Sequence, residues 1–202
     1  MGPPRATTKG GPEDEVPRSR MRVIAGQLKG RELQAPAWEG LRPTSDKLRE
    51  TLFNVLAPRI EGARVLDGYA GTGAIGIEAL SRGAAHVTFV ERDPRAVRLI
   101  AENLKRCGVR DRYAIIRAEL NDKKTHGPES AEYDIIVLDP PYGSRELSSA
   151  LAAAAPLISK GTLLVVEHAK RDAAPSTSGD LVLAREIVSG DSALAFYNRS
   201  GR

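Results

Sequence analysis

From residue 63 onward the apolar positions alternate between two periods. Short apolar runs of strand length fall at Arg64–Asp67, His86–Glu91, Tyr113–Arg117, Tyr133–Leu138 and Thr162–Glu167. Between them lie stretches with helical spacing. Gly73–Arg82 places Ile75, Ala79 and Leu80 inward. Pro94–Arg106 places Val97, Ile100, Ala101 and Leu104 on one face, with Pro94 in the first turn and Gly108 after the end. Alanine-rich Ser144–Leu157 is a further helix. Strand and helix in alternation predict an α/β fold, a parallel sheet with helices on both faces. The end of the chain differs: Leu181–Val188 and Ala193–Tyr197 flank Ser-Gly-Asp-Ser, which predicts an antiparallel hairpin closing a mostly parallel sheet.

The region before residue 63 carries weaker patterns. Leu48, Leu52, Val55 and Leu56 follow i, i+4, i+7, i+8, so a helix is expected, capped by Thr44 or Ser45 and ended by Pro58. Arg22–Ala25 and Arg31–Gln34 predict a small hairpin around a Gly26–Gly30 turn. Residues 1–20 are rich in Gly, Pro, Thr and charge without apolar periodicity, which predicts a disordered tail. The expected organisation is therefore a tail at 1–20, a basic hairpin extension at 21–43 and one catalytic domain at 44–202.

Charge sharpens this picture. Residues 18–49 hold eight basic and three acidic side chains, a net of +5, whereas the remainder holds 22 basic and 23 acidic, a net of −1. A basic segment ahead of a neutral body has the form of a polyanion-binding arm. Arg22, Lys29, Arg31, Arg42 and Arg49 are its candidate phosphate contacts. No apolar run reaches the roughly 18 residues of a membrane span, and no leader pattern is visible, so a cytoplasmic protein is expected. Cys107 is the single cysteine and His86, His126 and His168 show no ligand spacing, so no metal site is expected.

The first candidate chemistry lies at a strand-to-helix turn, Asp67-Gly-Tyr-Ala-Gly71-Thr-Gly73-Ala-Ile-Gly76. Glycines there let a ligand approach the backbone, and a helix N-terminus offers free N–H groups. Gly71-x-Gly73-x-x-Gly76 also satisfies the dinucleotide fingerprint, with Glu91 placed to hold ribose hydroxyls. Asp67 separates the alternatives. A carboxylate four residues before the first glycine suits a cationic ammonium and repels a pyrophosphate. Asp67, Gly71, Thr72, Gly73 and Glu91 therefore form the candidate cofactor site, with Glu119 after the third strand in reach of an adenine amine.

The second is Asp139-Pro140-Pro141-Tyr142 at the carboxyl end of the fourth strand, which in an open parallel sheet faces the glycine loop. Two prolines stiffen the turn and leave carbonyls as pre-aimed acceptors. An exocyclic amine on a nucleobase is a poor nucleophile, because its lone pair is delocalised into the ring. The Asp139 carboxylate and Pro140 carbonyl can accept its two hydrogens and aim the lone pair at an electrophilic methyl. Tyr142 can stack on the base, a task for its ring and not its hydroxyl.

These motifs together resemble the bacterial 16S ribosomal RNA guanine-N2 methyltransferases over about Met21–Arg199. The resemblance rests on Met21-Arg-Val-Ile-Ala-Gly26, Gly30-Arg31, Arg42-Pro43-Thr44 and Arg49-Glu-Thr-Leu-Phe-Asn54. It continues through Leu66-Asp67, Gly71-Thr-Gly73, Glu78-Ala-Leu-Ser-Arg-Gly83, Asp139-Pro-Pro-Tyr142 and Val166-Glu-His168. It implies a Rossmann-like class I methyltransferase with a seven-stranded sheet, S-adenosylmethionine as cofactor, and an RNA-contacting N-terminal extension. It also implies a guanine of ribosomal RNA, within the small subunit, as target; the enzyme is expected to act as a monomer. Gly68-Tyr69 and Glu119 depart from the family's usual residues.

Three other readings compete. A DNA adenine-N6 methyltransferase could use the same turn but leaves no room here for a sequence-reading domain. A nicotinamide oxidoreductase is disfavoured by Asp67. A non-catalytic RNA-binding module is disfavoured by the intact glycine loop and Asp139.

Overall fold

A computed structural model describes residues 21–36, 38, 45–126 and 132–200. Residues 1–20 and the basic-arm candidate Arg42, with Pro43 and Thr44, lie outside the described residues. The chain runs α1 (Asp46–Ile60), β1 (Arg64–Gly68), α2 (Ala74–Ser81), β2 (His86–Glu91), α3 (Pro94–Arg106) and β3 (Tyr113–Arg117). It continues through β4 (Ile135–Leu138), α4 (Ser144–Ala154), β5 (Leu163–Ala169), β6 (Thr177–Ser178), β7 (Leu181–Ser189) and β8 (Ser192–Arg199). The strands form one sheet in the order β3-β2-β1-β4-β5-β8-β7-β6. Pairing is parallel from β3 to β5 and antiparallel beyond it. Among the described residues eight strands replace the expected seven, because a two-residue strand, Thr177–Ser178, adds to the outer edge of the hairpin. So short a run carries no readable alternation.

The order reverses between β1 and β4, so their carboxyl ends diverge into a crevice. Both strands are almost wholly buried, as expected of strands covered on two faces. All eight residues of α2 are buried too. One side of α2 packs on β2, where a Cβ on Gly76 would strike the Phe89 ring. The other side is covered by the N-terminal arm.

That arm is pinned by side chains the hydrophobic pattern does not reveal. The Glu78 carboxylate, fully buried, accepts the N–H groups of Ile24 and Ala25 at 2.7 and 3.0 Å and pairs with Arg82. Gln27 N–H donates to the Ser81 carbonyl, and Leu28 N–H to the Ser81 hydroxyl. Gly26 has a φ of 80°, and a Cβ there would collide with the Ser81 carbonyl. The Glu78-Ala-Leu-Ser81 segment is thus a docking site for the arm. Met21, Val23 and Leu33 join the same apolar core as the sheet, contributing roughly 1.5–3 kcal/mol each. The hairpin is short: among the described residues it shows an antiparallel bridge between Arg22 and Glu32, with Val23 N–H donating to the Arg31 carbonyl and Leu33 N–H to the Met21 carbonyl.

Two local expectations shift. The helix α1 passes through Pro58 and ends at Ile60, because a proline in the last turn sacrifices one backbone bond without needing further turns. Its cap is Ser45, whose hydroxyl accepts Leu48 N–H. On α3 the buried stripe is Ala96, Leu99, Ile100, Asn103 and Leu104, turned away from Val97 and Ala101. Polar Asn103 hides this stripe from a hydrophobic reading. It is buried because its side chain bonds Gln34 N–H, the Gln34 carbonyl and the Thr72 carbonyl.

Candidate functional site

A cleft of about 790 Å³ opens at the carboxyl ends of β1, β2, β4 and β5. On one side it is lined by Asp67, Gly71, Thr72, Glu91 and Glu119, on the other by Asp139, Pro140 and Tyr142. Two motifs that begin 72 residues apart, at Asp67 and Asp139, therefore share one cavity. Gly73 does not reach the lining. It caps α2 with φ 77°, and a Cβ there would press on Ile100 at 3.3 Å.

The first half of the cleft is acidic and its amides are engaged. Asp67 Oδ2 accepts Gly76 N–H at 2.8 Å, and Glu91 Oε2 accepts Gly71 N–H at 2.9 Å. Glu91 Oε1 also takes Asp93 N–H at 2.8 Å, while Gly73 N–H returns to the Ala70 carbonyl. A dinucleotide pyrophosphate would need those loop amides and would meet two carboxylates instead. The arrangement fits a cofactor with a cationic end. Burial holds the Asp67 carboxyl well above the usual carboxylate range; Gly76 N–H opposes this, and the nearby Asp139 and Glu91 charges add to it. An incoming ammonium would offset that penalty. Glu119 is exposed at the rim, 3.5 Å from Arg92. Tyr69, at the end of β1, also lines the cleft and holds a φ of 61°, a left-handed backbone rare for a tyrosine.

On the second half, the Asp139 N–H donates to the Gly68 carbonyl at 3.3 Å, tying the proline turn to the end of β1. Tyr142 is half-buried, and its hydroxyl donates to Glu167 Oε1 at 3.1 Å and lies 2.7 Å from the Ser192 hydroxyl. Burial raises the Tyr142 phenol above its ordinary value. The hydroxyl is therefore engaged within the protein itself. Glu167 and Ser192 both line the cleft and neither was among the sequence candidates. Glu167 was findable, since it sits near the carboxyl end of the strand beside β4. Ser192 was not, because its place depends on which residue of β5 it opposes. His168, adjacent to Glu167, is buried and faces elsewhere, its Nε2 2.9 Å from Glu186.

The basic-arm candidates separate. Arg49 is completely buried and donates to the Arg22 carbonyl and to Asp46, so it is a structural residue rather than a phosphate contact. Arginine spacing could not show this, because its position on the inner face of α1 depends on how the arm folds over it. Arg31 is exposed but spends Nη1 on the Cys107 carbonyl just past the end of α3, at 2.7 Å. Since α3 starts beside the cleft and runs 13 residues, Arg31 stands about 20 Å from the cleft mouth. Arg22 and Lys29 are exposed and, with Lys47, Asp46 and Glu50, line a separate groove of about 370 Å³.

Residues 21–198 match the family described as conserved hypothetical protein 95. The chain belongs to that family. Ribosomal RNA small subunit methyltransferase D of Escherichia coli K12 is 35% identical over 185 residues, covering 91% of this chain and 92% of its own. A solved chain from Escherichia coli, 31% identical, superposes with a TM-score of 0.77 over 91% of this chain and 99% of that one. An RNA methyltransferase from Salinibacter ruber, solved with S-adenosyl-L-homocysteine, is 16% identical with a TM-score of 0.63, covering 80% and 95%. At that identity it speaks for the fold alone. Within the described residues of this family member, no helix is long and apolar enough to cross a membrane. No group of three His, Cys, Asp or Glu among them could hold a metal ion.

Proposed function

We propose that the protein methylates the N2 amine of a guanine in 16S ribosomal RNA. It is a methyltransferase of ribosomal RNA that uses S-adenosylmethionine. The observation that carries the finer reading is the single cleft in which the acid-bearing glycine loop faces Asp139-Pro140-Pro141-Tyr142. Family membership and the similarity to the Escherichia coli small subunit enzyme support the RNA class.

Asp67 would hold the ammonium end of the cofactor, Gly71 and Thr72 its middle, Glu91 the ribose hydroxyls and Glu119 the adenine amine. When bound, S-adenosylmethionine supplies one electrophilic methyl on a sulfonium. The Asp139 carboxylate and Pro140 carbonyl accept the two hydrogens of the guanine amine, which localises its lone pair and fixes its direction. Tyr142 stacks on the base. Asp139 is also the acceptor at hand for the proton the amine sheds after transfer. Acceleration then comes from orientation and preorganised charge, without a covalent enzyme intermediate. Arg22 and Lys29 are the exposed cations of the arm available to phosphates, with Arg31 partly committed to α3.

The test is labelled S-adenosylmethionine offered with naked ribosomal RNA, small ribosomal subunits and DNA in parallel, followed by nucleoside analysis. N2-methylguanosine from small subunits is the expected product. Label recovered as N6-methyladenine in DNA would replace this reading with its nearest rival.

A further inference from the structure

The Tyr142 hydroxyl is held by two residues from elements outside the Asp-Pro-Pro-Tyr turn. Glu167 belongs to β5 and Ser192 opens β8. Ser192 pairs with Ala169, and Glu167 precedes Ala169 by two. Side chains two apart on a strand share a face, and so do directly opposed residues on neighbouring strands. Both groups therefore point toward the ring of Tyr142. The turn that delivers Ser192 is itself tied down, since Lys170 N–H donates to the Asp191 carbonyl at 2.8 Å. One phenol hydrogen can serve one acceptor. The consistent chain is Ser192 hydroxyl donating to the Tyr142 oxygen, and Tyr142 donating to the Glu167 carboxylate at 3.1 Å.

We infer that Ser192 and Glu167 are positioning residues which lock the Tyr142 ring, so that the C-terminal hairpin is a working part of the target-base pocket. The role of the ring rests on the functional reading above, but the lock is a property of the free protein. A ring anchored at its hydroxyl cannot swing about Gly143, the one residue between it and α4. It offers the incoming base a preformed platform, and the orientation it confers is lost when the hydroxyl or either partner is removed. This reverses the expectation that only the ring matters.

The test combines kinetics with a measurement on the free enzyme. Tyr142→Phe, Ser192→Ala and Glu167→Ala are prepared with the double variant Tyr142→Phe/Ser192→Ala, each checked for an unchanged thermal transition. Methyl transfer to small subunits at saturating cofactor should fall by roughly tenfold in kcat for Tyr142→Phe and Ser192→Ala, with the KM for S-adenosylmethionine unmoved. The double variant should be no worse than Tyr142→Phe alone, because Ser192 acts only through that hydroxyl. Ser192→Thr, which keeps the hydroxyl, should restore most of the rate. Independently, the Tyr142 hydroxyl proton should appear as a slowly exchanging NMR signal in the free wild-type protein and vanish in Glu167→Ala, because Glu167 accepts that proton. Multiplicative losses in the double variant, or a wild-type rate in Tyr142→Phe, would overturn the lock. Should the wild-type protein methylate no ribosomal RNA, the functional reading fails. The hydroxyl proton then decides by itself, its presence in the wild type and loss in Glu167→Ala upholding the lock, and its absence from the wild type or its persistence in Glu167→Ala overturning it.

Discussion

Asp67 Oδ2 lies 2.8 Å from the backbone nitrogen of Gly76 and accepts its hydrogen, so the acid ending β1 closes the glycine loop onto the first turn of α2. The same carboxylate is 1% exposed and lines the cleft. It therefore holds the first turn of α2 and at the same time faces the cavity in which we propose that the cationic end of the cofactor sits.

Burial raises the Asp67 pKa, so the native state of the free protein binds that proton more tightly than the unfolded chain. The sign follows from linkage: its contribution to stability is greatest below the ordinary carboxylate range and declines as pH rises through the folded value. Asp67→Asn keeps an acceptor for Gly76 and removes the charge. Without cofactor it should melt higher than the wild type at pH 8, with the gain shrinking toward pH 5, while cofactor affinity falls. Scanning fluorimetry at the two pH values decides it; a less stable variant at pH 8 would sink the argument.

Glu91 holds two backbone N–H groups, of Gly71 and Asp93, and faces the cleft. Glu91→Ala should weaken S-adenosylmethionine binding by about 1–3 kcal/mol, the scale of hydrogen bonds to a charged group. Calorimetry on the wild type should also show the sulfur cofactor and its demethylated product binding while NAD does not. Tighter binding of NAD would contradict the assignment of the loop.

Asp139→Ala should remove most turnover and leave cofactor affinity within a few fold, since its proposed partner is the target amine. Single-turnover transfer with small subunits, paired with calorimetry, reads both quantities. A near-normal transfer rate would show that the direct-transfer assignment of Asp139 is wrong.

The arm separates structural from surface cations. Arg49→Ala should lower stability by about 2–4 kcal/mol, because a fully buried side chain and its packing are deleted. Arg22→Ala combined with Lys29→Ala should cost little stability and flatten the log–log salt dependence of RNA binding by up to about 2. Titration of small subunits at several salt concentrations, beside chemical denaturation, checks the contrast. An unchanged slope in the Arg22/Lys29 variant would move the RNA surface elsewhere.

The alternation of strand and helix, the place of the glycine loop and the proline turn were legible in the sequence. Each is set by local chemistry: period, cap and the geometry of Gly and Pro. Asp67 could be marked as an acid at a strand end for the same reason. Its bond to Gly76 could not, and neither could the eighth strand. What tertiary structure alone decided are the pairings between distant segments. Glu78 receives the arm, Asn103 turns the buried face of α3, Arg49 goes inward, and Ser192 meets Tyr142. In each case a polar side chain finds its partner more than 20 residues away in the chain. A polar letter on a linear pattern looks the same whether it is solvated or satisfied by a buried partner, and only the folded register distinguishes the two.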